Sequence, residues 1–258
     1  MTVLPNTALP TAGWATARGA RRVAADAAAV RTSPTAFAAA VADGIGDTGA
    51  AASAARFAVA EAVDAAWRAG VLEAAGVSEA MEDVRRGLHE SGLSTHPLDV
   101  PLPRPAGESL PQPPAPDVRR AHATGSGDTT LVVAAGGVPQ WFVAWVGDCR
   151  AYFLPENGPA TLLTTDHTVG RYLRDRGVDA NPRLDLVVTT TARKGGHGVA
   201  RGAGPGRLVL LTNGVHRATD EATVTRLARS ATDPAEAARA LVDVAVEDNA
   251  AAVVVDLR

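Results

Sequence analysis

The sequence predicts an α+β fold of stacked layers, and two observations carry that prediction. Short apolar runs that read as strands occur in groups, and stretches that read as paired helices lie between the groups. This order suits a layered α+β domain better than a parallel sheet of alternating strands and helices. The 258 residues are read as one domain, 1–258.

Residues 21–30 and 36–42 carry the first strand-like runs, and Asp43-Gly44-Ile45-Gly46 then marks a turn. From Ala50 to Trp67 the chain is rich in alanine and free of glycine and proline, and Phe57, Glu61, Asp64 and Arg68 fall at helical spacing. A second helix is expected over Ser78 to Glu90, with Ser78 as N-cap. Residues 96–120 hold prolines at 97, 101, 103, 105, 111, 113, 114 and 116, which excludes a helix and predicts a solvated loop or linker.

Three strands are expected at 129–135, 141–147 and 150–154, with turns at Gly136-Gly137 and Gly147-Asp148. Val169 to Arg176 reads as a short helix, and Leu186 to Thr191 and Leu208 to Thr212 read as strands. Helices follow at Asp220 to Ser230 and Pro234 to Val246. The second has a strong start signal, Asp233 at the N-cap with Pro234 next and Glu236 at the third helical position. Ala251 to Leu257 reads as a closing strand.

Composition excludes several function classes. A formal net charge of −3 is wrong for a strongly basic nucleic-acid binder and gives no electrostatic reason for binding acidic membranes. The single cysteine, Cys149, allows neither an intrachain disulfide nor a cysteine-based zinc cluster. The first 30 residues lack an apolar core followed by a small-residue cleavage site. The apolar stretch Leu131 to Val146 is interrupted by Gly136-Gly137 and Pro139 and falls short of the roughly 20 residues of a membrane span. A cytoplasmic protein is expected.

The candidate chemistry lies in aspartates placed at strand ends: Asp26, Asp43, Asp148 and Asp248. Carboxylates converging from several strand ends suit hard cations such as magnesium or manganese. A single Asp-Gly is most often only a turn. Cys149 reads as a small turn residue, His167 and His216 read as surface or packing residues, and the glycine-rich Lys194-Gly195-Gly196-His197-Gly198 lacks the spacing of a phosphate loop.

In combination, the motifs resemble a known family. Val41-Ala42-Asp43-Gly44-Ile45-Gly46, Val143 to Tyr152 (with Val146-Gly147-Asp148-Cys149-Arg150-Ala151), Leu163 to Thr168, Leu208 to Val215 and Glu247 to Val255 occur in the order found in the metal-dependent protein phosphatases of the PPM type, the type 2C serine/threonine phosphatases, especially the compact bacterial ones. The resemblance implies a four-layer α-β-β-α sandwich, two antiparallel sheets flanked by helix pairs, with one or two manganese or magnesium ions at one end. It implies that Asp43, the Gly44 carbonyl and Asp248 are metal ligands and that Asp148 belongs to a third, weaker metal site. It also implies that Arg21 grips phosphate, that Asp26 and Asn249 support the ligands, and that the partner is a phosphorylated protein, such as a serine/threonine kinase or its substrate.

The chain departs from the family at informative places. Ala25 stands where the family has glutamate, and Asn213 where it has an aspartate ligand. Asp47 and Thr48 replace Gly-His, and the flap region between Arg171 and Arg207 is short. Two divalent ions bring four positive charges, and two carboxylates that would balance them are gone. Asn213 can coordinate only weakly. Metal-dependent phosphomonoester hydrolysis is therefore expected to be weakened, and the alternative is a pseudophosphatase that binds a phosphoprotein as regulator or scaffold. Asn213-Gly214 is also a deamidation-prone pair, and its conversion would restore an aspartate at the lost ligand position.

Overall fold

A computed structural model describes residues 10–71, 73–91 and 127–258. The proline-rich stretch expected at 96–120 lies outside them. The strands are β1 (Thr11–Ala17), β2 (Asp26–Thr32), β3 (Phe37–Gly44), β4 (Thr129–Gly136), β5 (Gln140–Val146), β6 (Arg150–Pro155), β7 (Thr161–Leu162), β8 (Gly198–Ala203), β9 (Gly206–Leu211) and β10 (Ala250–Leu257). The helices are α1 (Gly49–Ala69), α2 (Ala74–Ser91), α3 (Val169–Arg174), α4 (Asn213–Ala218), α5 (Glu221–Ser230) and α6 (Pro234–Val242). One sheet runs β1-β10-β9-β6-β7 and the other β2-β3-β4-β5-β8, with every pairing antiparallel. This is the four-layer α-β-β-α sandwich that the motifs imply.

Alternation along the strands builds the layers. In β3, Ala38, Ala40 and Ala42 face α1 and α2, while Phe37, Ala39 and Val41 face the opposite sheet. In β10, Val253, Val255 and Leu257 enter the layer between the sheets, and Ala250, Ala252 and Val254 pack toward α5 and α6. Both faces are covered, so these strands read as continuous apolar runs rather than as alternating ones. Alanine dominates the buried face of α1, from Ala51 to Ala66, and so lets that helix lie close to its sheet. Thr48 starts α1 by accepting from Ala51 N at 3.1 Å, and Asp233 starts α6 by accepting from Ala235 N at 2.9 Å.

Several boundaries differ from expectation. α2 begins at Ala74, so Ser78 lies inside the helix and is not its N-cap. The chain turns at Gly70, whose φ of 102° only glycine adopts easily, and re-enters a helix almost at once. α6 ends at Val242, and the exposed Val246 is outside it. No strand forms over Leu186 to Thr191. Pro182–Leu186 is a 3₁₀ helix, followed by isolated bridges at Val188 and Thr191. Leu186 and Val187 are exposed, so this apolar run meets no sheet edge. β1 and β8 were not expected. Both are edge strands, short in large apolar residues and only partly buried, which leaves a weak pattern to read.

Candidate metal and phosphate site

Antiparallel register gathers the candidate residues at one end of both sheets. β3 ends at Asp43-Gly44, β2 begins at Asp26, and these two aspartates are direct cross-strand partners. Asp148 lies in the turn between β5 and β6, Asn213 opens α4 after β9, and Asp248-Asn249 precede β10. Arg21 lies in the β1–β2 connection. They meet at a cleft of about 170 Å³ lined by Arg21, Asp43, Gly44, Asn213, Arg217 and Asp248, among others.

Opposed carboxylates repel, and burial makes the repulsion costly. Neither oxygen of buried Asp26 has a hydrogen-bond donor. Burial, and then the Asp43 charge, push the Asp26 carboxyl well above the usual range. Asp43 is itself pushed up to about 6, by burial first and by the Asp148 charge next. The Asp43 backbone carbonyl is fixed by Thr129 Oγ1 at 2.8 Å.

The Asp148 side chain is 1% exposed. Arg217 Nη2 donates to its Oδ2 at 2.6 Å, while Oδ1 has no partner. Burial raises the Asp148 pKa, and the Arg217 charge is the main influence opposing it. Asn213 Nδ2 donates to Asp43 Oδ2 at 2.5 Å and to Asp148 Oδ2 at 3.3 Å. Two acceptor carboxylates flank this amide, so chemistry requires its NH₂ end to face them. Beneath lies His216, held down to about 4 by burial. Its Nε2 is 2.8 Å from the Asp148 carbonyl, and a carbonyl only accepts, so Nε2 carries the proton.

On the other wall Arg21 grips Asp248 with Nε at 2.7 Å and Nη2 at 2.9 Å. Asn249 is a brace. Its Oδ1 accepts from Ala25 N at 2.6 Å and its Nδ2 donates to Arg18 O at 2.7 Å, which ties the β1–β2 connection to the start of β10. Asp47 also serves structure, accepting from Val23 N at 2.8 Å and from Arg22 Nε at 3.2 Å. Cys149 is fully buried, with its thiol pushed well up by burial, which makes it an unreactive packing group.

The structure thus brings Arg21, Asp43, Gly44, Asn213, Asp248 and Asn249 to one cleft, with Asp26 and Asp148 buried behind its lining. Among the described residues, no three acidic, histidine or cysteine side chains form a metal-ligating group. Asn213 and Arg217 already bring donors to the Asp148 end, so the residues there do not suit a second divalent ion. The opposite end suits one ion better, because Asp43, the Gly44 carbonyl and Asp248 are oxygen donors and Asp26 leaves uncompensated carboxyl oxygens behind them. Arg217 escaped the sequence reading. It lies four residues after Asn213, one helical turn on, so a helix predicted after β9 would have placed both on one face.

The deamidation idea meets a geometric obstacle. Asn213 is buried at the first turn of α4 with its amide engaged, and cyclisation needs that amide carbon free to meet the next backbone nitrogen. Gly214 has another role, because a Cβ there would overlap the Asn249 carbonyl oxygen.

No protein-family model and no curated protein sequence matches the chain. Solved structures do. The PPM Ser-Thr phosphatase MsPP from Mycobacterium smegmatis, in complex with cacodylate, aligns at 26% identity and a TM-score of 0.69 over 97% of this chain and 100% of that one. The serine/threonine phosphatase Stp1 from Staphylococcus aureus aligns at 15% identity and a TM-score of 0.74, over 100% of this chain and 99% of that one. The catalytic domain of the serine/threonine phosphatase PstP, in complex with two manganese ions, aligns at 20% identity and a TM-score of 0.67 over 96% and 98%. Sequence likeness is low while the fold and the order of the motifs agree, and by these the chain is similar to the PPM-type serine/threonine phosphatases and has the fold of their compact bacterial members.

Proposed function

We propose that the chain is a pseudophosphatase: it engages a phosphorylated protein through the PPM-type cleft without family-like turnover. One observation carries this. The ligand-position carboxylates already have partners within the chain, Asp43 with Asn213, Asp148 with Arg217 and Asp248 with Arg21. Ala25, in the place of the family's glutamate, offers no side-chain oxygen. A divalent ion, when bound, would supply Lewis-acid activation of water and a clamp for phosphoryl oxygens. Here Arg21 is the group that reaches a phosphoryl oxygen, being 47% exposed at the cleft mouth. The partner we favour is a serine/threonine kinase or one of its substrates.

The second reading is a weakened enzyme that works with a single ion. It is favoured by the unpartnered, buried oxygens of Asp26, which leave lone pairs free behind Asp43. Calorimetric titration with manganese and magnesium, with hydrolysis of a phosphothreonine peptide on the same samples, separates the two. The pseudophosphatase reading expects no turnover in the native protein with either metal. Native turnover that is lost in Asp43→Ala would establish the weakened enzyme instead.

A further inference from the structure

The cleft contains a positive charge of its own. Arg217 extends from the last turn of α4 to Asp148 Oδ2 at 2.6 Å, and the same Nη2 lies 3.4 Å from the Asp185 carbonyl. The Asp148 oxygen it holds is also the one that Asn213 approaches, and Asn213 continues to Asp43. Guanidinium and amide together link the two carboxylates that a cation at this end would have to bridge.

From this geometry we infer that Arg217 is a built-in counter-ion that occupies the Asp148 end of the cleft electrostatically, and that it, more than Asn213, keeps a second divalent ion out. It builds on the reading of the cleft as a PPM-type site. Three features support it. Asp148 is buried and needs a cation, since an unpaired buried carboxylate is strongly unfavourable. Arg217 is tethered to the Asp148 wall by α4, so its charge is present without any loss of ligand entropy, whereas an ion must be drawn from solution. The Arg217 charge also favours the ionised form of Asp43 as well as Asp148, so its field spans the gap between them.

The consequence is specific. Restoring the carboxylate at position 213 should give Arg217 a second partner before it gives a metal a ligand. Asn213→Asp alone is then a poor repair. Arg217→Gln removes the charge and, being shorter, draws the polar tip back from Asp148, and it should expose the site.

The test is manganese chloride titration by calorimetry, with thermal unfolding in parallel, on the native chain, Asn213→Asp, Arg217→Gln and the double variant. Asn213→Asp is expected to gain less than about threefold in manganese affinity, and the double variant at least about thirtyfold, well beyond the product of the single effects. Manganese should raise the unfolding temperature of the double variant far more than that of either single variant. If Asn213→Asp binds manganese as tightly as the double variant, the inference fails. Should Arg217→Gln not fold, Arg217→Lys in the Asn213→Asp background decides. Its retained charge should hold affinity within about threefold of Asn213→Asp, and a larger gain overturns the inference. Native turnover would remove the pseudophosphatase reading without touching this comparison, which depends only on ratios between variants.

Discussion

Asp43 and His216 titrate in opposite directions, and the pH dependence of stability follows from the pair. Asp43 has its pKa raised to about 6 from 3.8, by burial first and then by the Asp148 charge. Between those values the folded chain holds a proton that the unfolded chain has released. Stability contributed there falls as pH rises from about 4 to about 6 and stays low above. His216 is lowered from 6.5 to about 4, so its contribution is intact above 6.5 and is lost as pH falls toward 4. The two largely offset each other in the native chain. Asp43→Asn removes the first and leaves the second. Urea unfolding should show it stabilised by about 1–3 kcal/mol at pH 7.5, the gain shrinking toward pH 4.5. A variant less stable than native at pH 7.5 would mean that Asp43 is not a strained, buried charge. Asp26 and Asp43 were both legible as candidates in the sequence. Their direct opposition was not, because it depends on the β2–β3 register.

At the scale of elements, two contacts fix how helices meet sheets. Gly214 lets α4 press against the start of β10, where a Cβ would meet the Asn249 carbonyl. Asn249 braces Ala25 and Arg18, so the disturbance should reach the β1–β2 connection. Gly214→Ala is expected to cost about 2–4 kcal/mol of unfolding free energy, and an unchanged denaturation midpoint would contradict the close packing. At the far end of the same sheet, Arg207 on β9 pairs with Asp256 on β10, Nε to Oδ1 at 2.6 Å. It also donates to the Ala228, Ala231 and Thr232 carbonyls at and just beyond the end of α5. Both side chains are nearly buried, so Arg207→Ala leaves Asp256 without its main partner and helix-end carbonyls without donors. It should lose about 3–5 kcal/mol, while Asp256→Asn with Arg207→Met loses less. Thermal unfolding of the three proteins checks the order. The helices themselves were legible where caps announced them, as at Asp233-Pro234. The start of α2 was misplaced because no Ser, Thr, Asp or Asn stands just before Ala74 to mark it.

For the molecule as a whole, three apolar layers supply the buried core. α1 and α2 cover one sheet, α5 and α6 the other, and Phe37, Val41, Leu208, Leu210, Val253 and Val255 fill the space between the sheets. An ion that binds only the folded state adds about 0.4 kcal/mol when its concentration equals its Kd. With weak binding, millimolar manganese or a chelator should move the unfolding midpoint of the native chain by no more than about 2 °C. A shift of ten degrees would reveal a tight metal site and return the protein to the enzymes. Among the described residues no helix is long and apolar enough to cross a membrane. The sequence by itself determined the layered fold and the motif order, because strand periodicity, turn glycines and caps are local signals carried by neighbouring residues. It also carried the departures from the PPM-type motifs, since Ala25 and Asn213 are legible one letter at a time. Only the tertiary structure decided which side chains surround Asp43 and Asp148. Arg217, Asn213, Asp148 and Asp43 come from three separate stretches of chain, and their charges find one another only when the ends of two sheets close on a common cleft.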